Sequence, residues 1–451
     1  MKERSSYTVS SLVSDMEETF DTYGAAERYI NATPKFTSKN SIEDSESFYA
    51  HLGYPSRNKR ILHVTGTNGK GSVCAYLCSV LQEAGISCGM FTSPHLVSMR
   101  ERFRMDGDMV SETCFLQAFL RVMEGLRTLP EALAVKDYHP TFFEFLFFMA
   151  MILFEEAGVE YVVLETGLGG RLDATNVPEK KELCIITSIG YDHMEYLGDT
   201  LAEIAEEKAG ILRRNVPVVY PVKQEEVTCA IEFCIRKIGA KACPLEKDAI
   251  KEIKIRNKTI DFSLRFLYYD YIGFTVSTSA LYQVENASLA ARALALLQDE
   301  RITTAIIQEG IRTASWEGRM EEILPSVYVD GAHNIDGIRA FLETVGARPC
   351  AGKRILIYSS VRDKQYREAA AALVHAGLFD RICPVQMQGE RALPLDQLTD
   401  LFRQYTGFDM IAYDTLERAF TEQVSHKNDE DEVYLVGSLY LVGEMKALLR
   451  F

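Results

Sequence analysis

The chain has 451 residues, which is too long for one ordinary hydrophobic core and predicts two domains. Apolar residues make up 47% of the chain and charged residues 25%, the profile of a soluble globular protein. The net charge of −15 argues against a general binder of nucleic acids or membrane surfaces, although a local basic pocket could still hold an anion.

The ten cysteines are scattered singly and form no C-x-x-C pair. The sequence therefore predicts neither a zinc site nor a disulfide framework, and it fits a reducing cytoplasm. The N-terminus shows no long apolar stretch of the kind found in signal peptides. The most apolar segment, 141–158, contains Glu144 and is too short to cross a membrane, so we expect a buried helix there.

In chain order, the predicted elements begin with an amphipathic helix over 8–31, followed by a polar loop or lid over 32–48. Strand and helix patterns then alternate from residue 60. The strands are almost continuously apolar, which is typical of a parallel sheet covered on both faces. These strands are ILHVT (61–65), ISCGMF (86–91), YVVLE (161–165) and LCIITSI (183–189).

Residues 250–285 alternate polar and apolar side chains instead, and they predict antiparallel strands before a helix over 286–300. The alternation of strands and helices resumes after that helix. We therefore predict an α/β fold with two domains in series, 1–300 and 301–451.

The stretch between the first apolar strand and its helix has the composition of a phosphate-binding loop. It consists of Gly66, Thr67, Asn68, Gly69, Lys70, Gly71 and Ser72. The backbone N–H groups from Thr67 to Ser72 can face an anion at the start of the helix, and Lys70 adds a positive charge. The usual pattern, G-x-x-x-x-G-K-[ST], has no residue between the lysine and the hydroxyl, where this chain has Gly71. The loop predicts a nucleotide site; the alternative is a glycine-rich turn without a ligand.

Three further polar side chains follow predicted strands: Ser93, Glu165 and His193. Ligands of parallel sheets bind at the carboxyl ends of the strands. A carboxylate beside a phosphate loop is a natural Mg²⁺ ligand, which makes Glu165 a candidate. Ser93 is as readily a turn or helix-capping residue, and a lone histidine is more often structural than a ligand. Together they predict an enzyme that uses ATP and Mg²⁺, with its reaction still open.

Basic residues near these segments allow two interpretations. Arg100, Arg102 and Arg104 could bind anionic substrate groups, although surface charges are the simpler explanation. Lys208 lies in a charged run, yet the residues three and four positions away are apolar, so no intrahelical ion pair is available. That spacing hints at an inward-facing lysine, while a solvated lysine stays narrowly preferred.

Taken together, the motifs resemble one protein family. T-G-T-N-G-K-G-S, T-S-P-H-L, L-E-T-G-L-G-G-R-L-D-A-T-N, S-I-G-Y-D-H and E-K-A-G-I occur in the order found in folylpolyglutamate synthases and dihydrofolate synthases, within the wider group of Mur-type amide ligases. The resemblance covers residues 60–445. It implies an N-terminal P-loop ATPase domain, similar to the central domain of Mur ligases and carrying the folate-binding loops, and a C-terminal Rossmann-like α/β domain. The active site would lie in the cleft between them.

The resemblance also implies the reaction. ATP phosphorylates a carboxylate of dihydropteroate or a reduced folate, and the α-amino group of L-glutamate then attacks the acyl phosphate to form an amide. The family suggests a cytoplasmic monomer. Neither the motifs nor the family pattern separates addition of the first glutamate from addition of later ones.

Residue roles carry over where the motifs match. The catalytic set is Lys70, His193 and Lys208. Ser93, Glu165, His193 and Lys208 match the positions of the family's Mg²⁺ ligands. Lys208 lies at the position of a lysine that is carbamylated in the family. The nucleotide contacts beyond the loop are Asn286, Arg319, Asp330 and His333. The pterin-side pocket corresponds to Thr141, Phe143, Arg171, Asp173 and Thr175.

Some features depart from the family or leave an alternative. Glu317 stands where the family commonly has proline, and 359-SSVRDKQ-365 is looser than the family pattern, which leaves Asp363 without an assigned role. The nearest alternative is a Mur-type ligase acting on another carboxylate, such as a UDP-muramoyl compound; Gly71 and T-S-P-H-L favour the folate branch. A non-catalytic nucleotide-binding regulator would not need the metal-binding set.

Overall fold

The structure is a computed structural model and describes residues 20–34, 40–266 and 271–449. Helix α1 spans Tyr23–Ala32 and accounts for the described part of the helix predicted over 8–31. Residues 8–19 of that prediction lie outside the described residues.

The loop predicted over 32–48 is wrong in its second half, where helix α2 spans Ile42–His51. Ser41 and Asp44 form a capping box at its start. The hydroxyl of Ser41 accepts a hydrogen bond from the N–H of Asp44, and the carboxylate of Asp44 accepts one from the N–H of Ser41. The polar residues that suggested a loop therefore begin a helix. The rest of the predicted loop, 35–39, lies outside the described residues.

An eight-stranded sheet forms the centre of the first part of the chain. Its strands are β1 (Arg60–Thr65), β2 (Cys88–Phe91), β3 (Phe103–Met105), β4 (Asp108–Met109), β5 (Tyr161–Glu165), β6 (Leu183–Ile186), β7 (Pro217–Pro221) and β8 (Lys241–Leu245). Their order is β4-β3-β2-β5-β1-β6-β7-β8. The strands from β2 to β8 in this order pair in parallel, which confirms the predicted parallel sheet. β3 and β4 extend one edge in antiparallel pairing.

Helices cover both faces of this sheet. They are α3 (Lys70–Glu83), α4 (Glu112–Arg127), α5 (Glu131–Ala134), α6 (Phe142–Glu156), α7 (Met194–Leu197), α8 (Leu201–Ala209) and α9 (Glu225–Ile238). Helix α6 is the buried helix predicted from 141–158, since every residue from Phe145 to Phe154 is buried. In the part of the chain that the structure describes, no helix is long and apolar enough to span a membrane.

The predicted antiparallel strands are also confirmed. β9 (Ile250–Ile255), β10 (Ile260–Arg265) and β11 (Tyr271–Val276) form a separate antiparallel sheet. Helix α10 (Tyr282–Ala295) begins and ends earlier than the helix predicted over 286–300. The small sheet, α10 and α3 share one hydrophobic core on the first sheet.

The second half of the described chain builds a six-stranded sheet. Its strands are β12 (Glu321–Leu324), β13 (Val327–Asp330), β14 (Arg354–Tyr358), β15 (Arg381–Pro384), β16 (Asp409–Met410) and β17 (Glu432–Val436). They lie in the order β12-β13-β17-β14-β15-β16, parallel except for β12. The helices of this half are α12 (Ile335–Gly346), α13 (Tyr366–His375), α14 (Leu395–Arg403), α15 (Leu416–Ser425) and α16 (Leu439–Leu449). Separate cores on the two faces of the sheet match the predicted α/β domain.

Helix α11 (Thr304–Thr313) packs with the first half of the chain. Its Ile307 and Ile311 belong to the core that contains α3 and α10. A Cβ atom on Gly310 would lie 2.5 Å from the Cα atom of Val80, so α11 and α3 touch backbone to backbone. On this packing we propose that the linker between the two domains is 314–320, and we refer to this segment as the linker. The predicted boundary at 300/301 remains a prediction.

Candidate active site

The strand order brings the predicted site segments to one edge of the first sheet. β1 lies between β5 and β6, and β2 lies on the other side of β5. Glu165 is the last residue of β5, and the segments that follow the other three strands carry the glycine-rich loop, Asp192 with His193, and Ser93. Because parallel strands end at the same edge, segments far apart in sequence become neighbours there.

At two positions of the loop, neighbouring atoms leave no room for a side chain, so glycine is required there. The φ angles of Gly66 and Gly69 are +150° and +91°. A Cβ atom on Gly66 would lie 1.9 Å from the hydroxyl oxygen of Thr187, and one on Gly69 would lie 2.3 Å from the amide oxygen of Asn286. No other residue fits either position without moving these neighbours.

The loop turns fewer N–H groups toward an anion than the sequence suggested. The N–H groups of Thr67 and Asn68 donate to the carbonyl oxygen of Ser188, at 2.8 and 3.4 Å. The expectation is therefore wrong for these two groups, because the loop pairs with the segment after β6. The N–H groups of Lys70 through Ser72 open α3, where a helix offers them no acceptor. These groups and the helix dipole form the anion site that the loop can supply.

Gly71 lies against Trp316, the one tryptophan of the sequence. A Cβ atom on Gly71 would lie 2.9 Å from the indole nitrogen and 3.0 Å from Cζ2. The glycine between Lys70 and Ser72 thus makes room for an aromatic ring from the linker. Arg104 lies over the same ring, with 5.7 Å from its guanidinium carbon to the ring centroid.

A cavity of about 200 Å³ opens beside this ring. Its walls include Ser72, Tyr76, Gln283, Trp316 and Arg319. Gln283 donates to the hydroxyl of Ser72 at 3.0 Å and accepts from the amide of Asn286 at 3.0 Å. The predicted nucleotide residues Ser72 and Asn286 are therefore joined by Gln283, which sequence reasoning missed.

Two lysines converge on the first glycine of the loop. The ammonium of Lys70 donates to the carbonyl oxygen of Gly66 at 3.2 Å, and that of Lys208 donates to the same oxygen at 2.7 Å. Lys208 is buried, so the narrowly preferred solvated interpretation is wrong. Burial, followed by the charge of Lys70, lowers the pKa of Lys208 from 10.5 to about 7. A substantial fraction of this side chain is then a neutral amine at neutral pH.

Glu165 ends β5 as a buried carboxylate. It accepts a hydrogen bond from the N–H of Ser93 at 3.0 Å, so β2 and β5 are tied together at their carboxyl ends. Burial raises the pKa of Glu165, and the charge of Lys70 is the largest opposing influence. Ser93 thus contributes its backbone N–H to this contact.

His193 adopts a left-handed backbone conformation with φ at +50°. Burial, and then the nearby charges of Lys364 and Lys70, lower the pKa of His193 to about 4, against the opposing effect of Asp192. The imidazole is neutral at physiological pH, which is the form that binds metal ions.

Asp192 and Lys364 join the two halves of the protein beside His193. The ammonium of Lys364 lies 2.5 Å from Asp192 Oδ1 and 3.3 Å from His193 Nε2. Asp192 Oδ1 also accepts from the N–H of His193 at 3.0 Å, and Oδ2 lies 3.8 Å from His333 Nε2. Burial alone would raise the pKa of Asp192, but the neighbouring His333 and the charge of Lys364 hold it well below its usual range. Neither Asp192 nor Lys364 was among the predicted site residues.

Comparison with known proteins decides the family. Residues 64–294 match the Mur ligase middle domain, and residues 318–439 match the Mur ligase glutamate ligase domain. The chain is 31% identical over 449 residues to the dihydrofolate synthase/folylpolyglutamate synthase of Bacillus subtilis, covering 96% of this chain and 100% of the relative. The chain belongs to the folylpolyglutamate synthase/dihydrofolate synthase family.

Solved structures of this family share the whole fold. E. coli FolC in complex with DHPP and ADP is 26% identical, with a TM-score of 0.83 over 96% of this chain and 98% of that chain. The bifunctional folylpolyglutamate synthase/dihydrofolate synthase from Yersinia pestis is 25% identical, with a TM-score of 0.82 over 96% and 99% of the two chains. The expected α/β architecture of a folylpolyglutamate synthase is thereby confirmed.

Asp330, a predicted nucleotide contact, lies at the end of β13 in the second sheet. Asp330 is buried, and its carboxylate accepts from the hydroxyl of Tyr282 at 2.5 Å and from the N–H of Met320 at 3.0 Å. Burial raises the pKa of Asp330, and Arg319 is the largest opposing influence. Asp330 thus fixes the linker beside Arg319. His333 bonds through Nδ1 to the carbonyl oxygen of Gly331 at 2.8 Å.

Asn334 forms a second bridge between the halves. Its amide nitrogen donates to Asn68 Oδ1 at 3.0 Å, and the amide nitrogen of Asn68 donates back to Asn334 Oδ1 at 3.1 Å. The glycine-rich loop is therefore held by the segment that starts α12. Asn334 directly follows His333, one of the predicted nucleotide contacts, and its own role was not predicted.

Two of the five predicted pterin-side residues are buried, and the other three are not. Asp173 and Thr175 are buried and bond each other: Asp173 Oδ1 accepts from the N–H of Thr175 at 3.0 Å and from its hydroxyl at 2.5 Å. Their polar groups shape the loop. Thr141 caps α6, and the ring of Phe143 lies over Gly167, where a Cβ atom would approach it within 2.6 Å. Arg171 is exposed and lies 3.4 Å from the carboxylate of Glu207.

Proposed function

We propose that this protein is an ATP- and Mg²⁺-dependent ligase that adds L-glutamate to dihydropteroate or a reduced folate. The family makes it an ATP-dependent ligase, and the B. subtilis relative is named for both dihydrofolate and folylpolyglutamate synthesis. The single observation that carries the proposal is the convergence of Lys70 and Lys208 on Gly66 at the start of α3, at the sheet edge that also carries Glu165 and His193. A polyphosphate is the kind of ligand that Lys70 and the N-terminus of α3 fit, and the other groups at this edge suit a metal ion bound to it.

ATP would lie with its phosphates at the N-terminus of α3 and its base in the cavity beside Trp316. The N–H groups of Lys70, Gly71 and Ser72 bind phosphate oxygens, and Lys70 neutralises part of their charge. Arg319 lines the same cavity from the linker. The E. coli structure, which has a similar fold, contains ADP, and this supports a nucleotide site in the present chain.

The donor set at the sheet edge fits Mg²⁺ only in part with its ordinary side chains. The described residues contain no group of three or more histidine, cysteine, aspartate and glutamate side chains that could hold a metal ion. Glu165 and His193 would be the two ordinary ligands, and we propose that the Ser93 hydroxyl, a carbamate on Lys208 and ATP oxygens would complete the site. When bound, Mg²⁺ neutralises phosphate charge and orients the terminal phosphoryl group.

The lowered pKa of Lys208 favours the carbamate. Carbon dioxide reacts with the neutral amine, which a lysine with a pKa of about 7 presents at neutral pH. Carbamate formation replaces a cation with an anion and removes the repulsion between two ammonium groups that share the Gly66 oxygen. The change therefore suits a metal site beside a triphosphate.

The reaction has two steps. A carboxylate oxygen of the pteroate or folate attacks the terminal phosphorus of ATP; an O–P bond forms, and the bond to ADP breaks. The amino nitrogen of glutamate then attacks the acyl carbon; a C–N bond forms, phosphate leaves, and the amine loses a proton. Lys70 would stabilise the charge on the transferring phosphoryl group. The bridges at Asp192–Lys364 and Asn68–Asn334 hold the two halves of the protein together beside the site, which would help to keep water from the acyl phosphate.

The test is glutamate-dependent ADP release with dihydropteroate, tetrahydrofolate and a UDP-muramoyl compound, side by side. We expect turnover with one or both pterin substrates and none with the UDP-muramoyl compound. The Lys70→Met variant should lose most turnover while keeping its fold by circular dichroism. Turnover with the UDP-muramoyl compound alone would reject the folate assignment in favour of the alternative. The ratio of the two pterin activities separates addition of the first glutamate from addition of later ones.

A further inference from the structure

The linker carries two residues of the nucleotide cavity. It joins α11, which packs on the first core, to β12, the first strand of the second sheet. Trp316 lies against Gly71, and Arg319 lines the cavity. The position of the linker therefore determines where both side chains stand relative to the glycine-rich loop.

The backbone of the linker is tied to the second sheet at two points. The carbonyl oxygen of Gly318 accepts from the N–H of Gly331 at 2.9 Å, and the N–H of Met320 donates to the carboxylate of Asp330 at 3.0 Å. The N–H of Gly318 also donates to Glu321 Oε2 at 2.7 Å. These bonds fix the part of the linker around Arg319 and leave the part around Trp316 to side-chain contacts.

Lys446 supplies such a contact from α16. Its ammonium lies 2.8 Å from Glu317 Oε2 and 2.9 and 3.1 Å from the two carboxylate oxygens of Glu321. One cation thus bridges carboxylates that stand on either side of Arg319. The side chain of Lys446 is 12% exposed, which shields the bridge from solvent more than a surface ion pair.

The same helix touches another segment of the site. A Cβ atom on Gly443 would lie 2.2 Å from the carbonyl oxygen of Leu96, which belongs to the T-S-P-H-L segment. Leu96 also packs against the core formed by Val442 and its neighbours. Helix α16 therefore supports both the segment that carries Ser93 and the linker.

We propose that Lys446 is a positioning residue for the nucleotide site. By holding Glu317 and Glu321 together, it keeps the linker in the conformation in which Trp316 and Arg319 face the cavity. Without its charge the two carboxylates repel each other, and the half-exposed Glu317 moves toward solvent. Lys446 acts through Glu317 in the linker and Glu321 at the start of β12, since Lys446 itself does not line the cavity, whereas Glu321 does. The inference rests on the proposed function in one respect, that the cavity takes ATP.

The test compares the Lys446→Met, Lys446→Arg and Lys353→Met variants of the whole protein. Methionine keeps the length and helix propensity of lysine and removes the charge. Lys353 is an exposed lysine just before β14, at the amino end of its strand and away from the site, and serves as the control. The readout is the fluorescence of Trp316, which reports the linker because the chain contains one tryptophan.

We expect Lys446→Met to make Trp316 more accessible to acrylamide in the absence of nucleotide. The midpoint of an ATP titration and the KM for ATP should both rise by about three- to tenfold, with kcat changing less. Lys446→Arg should restore most of both properties, and Lys353→Met should match the wild type. The melting temperatures of all three variants should stay within about 2 °C of the wild type, since the two carboxylates of the bridge keep access to solvent when Lys446 is replaced.

Unchanged quenching and an unchanged ATP midpoint in Lys446→Met would overturn the inference. A rise in KM that goes with a proportionate fall in melting temperature, and that arginine does not reverse, would also overturn it in favour of a general structural role. If the proposed function itself is wrong, the experiment gives a different result. In that case wild-type Trp316 does not respond to ATP, while the acrylamide comparison still decides whether Lys446 holds the linker.

Discussion

Replacing Lys208 by methionine should stabilise the protein and abolish its activity. Lys208 is buried at the end of α8, and its ammonium donates to the carbonyl oxygen of Gly66 at 2.7 Å. The same oxygen accepts from Lys70, so two cations meet at one acceptor. Such a position is unfavourable for a charged side chain and is retained for function rather than for folding.

The structure allows the magnitude to be worked out. Lowering the pKa of Lys208 from 10.5 to about 7 corresponds to roughly 5 kcal/mol of unfavourable free energy for the charged form. Methionine removes this cost but also removes the hydrogen bond to Gly66, worth about 1–2 kcal/mol. The expected net gain in the free energy of unfolding at pH 7 is therefore about 3 kcal/mol.

The pH dependence has a definite sign. Between pH 7 and 10, Lys208 in the unfolded chain keeps its proton, whereas the folded protein has released it. The unfolded state then binds more protons, so this residue makes the folded state more stable as pH rises through that window. Below about pH 7 both states are protonated, and the residue contributes no slope. The Lys208→Met variant should lack this rise.

Urea unfolding from pH 6 to 10 in buffer depleted of carbon dioxide measures both effects, and ADP release measures activity. Lys223→Met is the matched control, since Lys223 is 55% exposed and pairs with Glu285 on the surface. Its free energy of unfolding should change by less than about 0.5 kcal/mol. Added bicarbonate should raise the activity of depleted wild type and leave Lys208→Met inactive. A less stable Lys208→Met variant, or one with wild-type turnover, would refute the reasoning.

Two further substitutions test the loop and the missed helix. Gly71→Ala should raise the midpoint of ATP titration at least about fivefold, because the added methyl group displaces Trp316 at a cost of about 1–3 kcal/mol. Gly24→Ala, whose Cβ meets nothing closer than 3.6 Å, should bind ATP normally, and equal binding by both variants would contradict the packing argument. Ser41→Ala should lower the free energy of unfolding by about 1 kcal/mol in urea through loss of the capping box. Ser47→Ala, inside the same helix, should cost less than half of that, and the reverse order would count against the capping role.

Local patterns predicted the parts of the fold that depend on local chemistry. The apolar runs of the first half became adjacent parallel strands, and the segment around Phe145 became a buried helix. The capping box at Ser41 shows the limit of composition, because the polar residues that suggested a loop are also those that begin a helix. The hydrogen bonds from the loop to Ser188 depend on the neighbouring strand, and the loop sequence alone carries no trace of them.

The site residues that lie at the edge of one sheet could be predicted from the sequence. The contacts between segments of the two sheets could not. Glu165 and His193 follow strands of the same sheet, so the rule that ligands bind at the carboxyl ends was enough to group them. Asp192 and Lys364 are separated by 172 residues and follow strands of different sheets, and no periodicity links them. Lys208 falls between these cases. The apolar neighbours of Lys208 indicated that its side chain points inward. Only the structure shows that it reaches the carbonyl oxygen of Gly66 in the loop. Burial at that position lowers the pKa of Lys208.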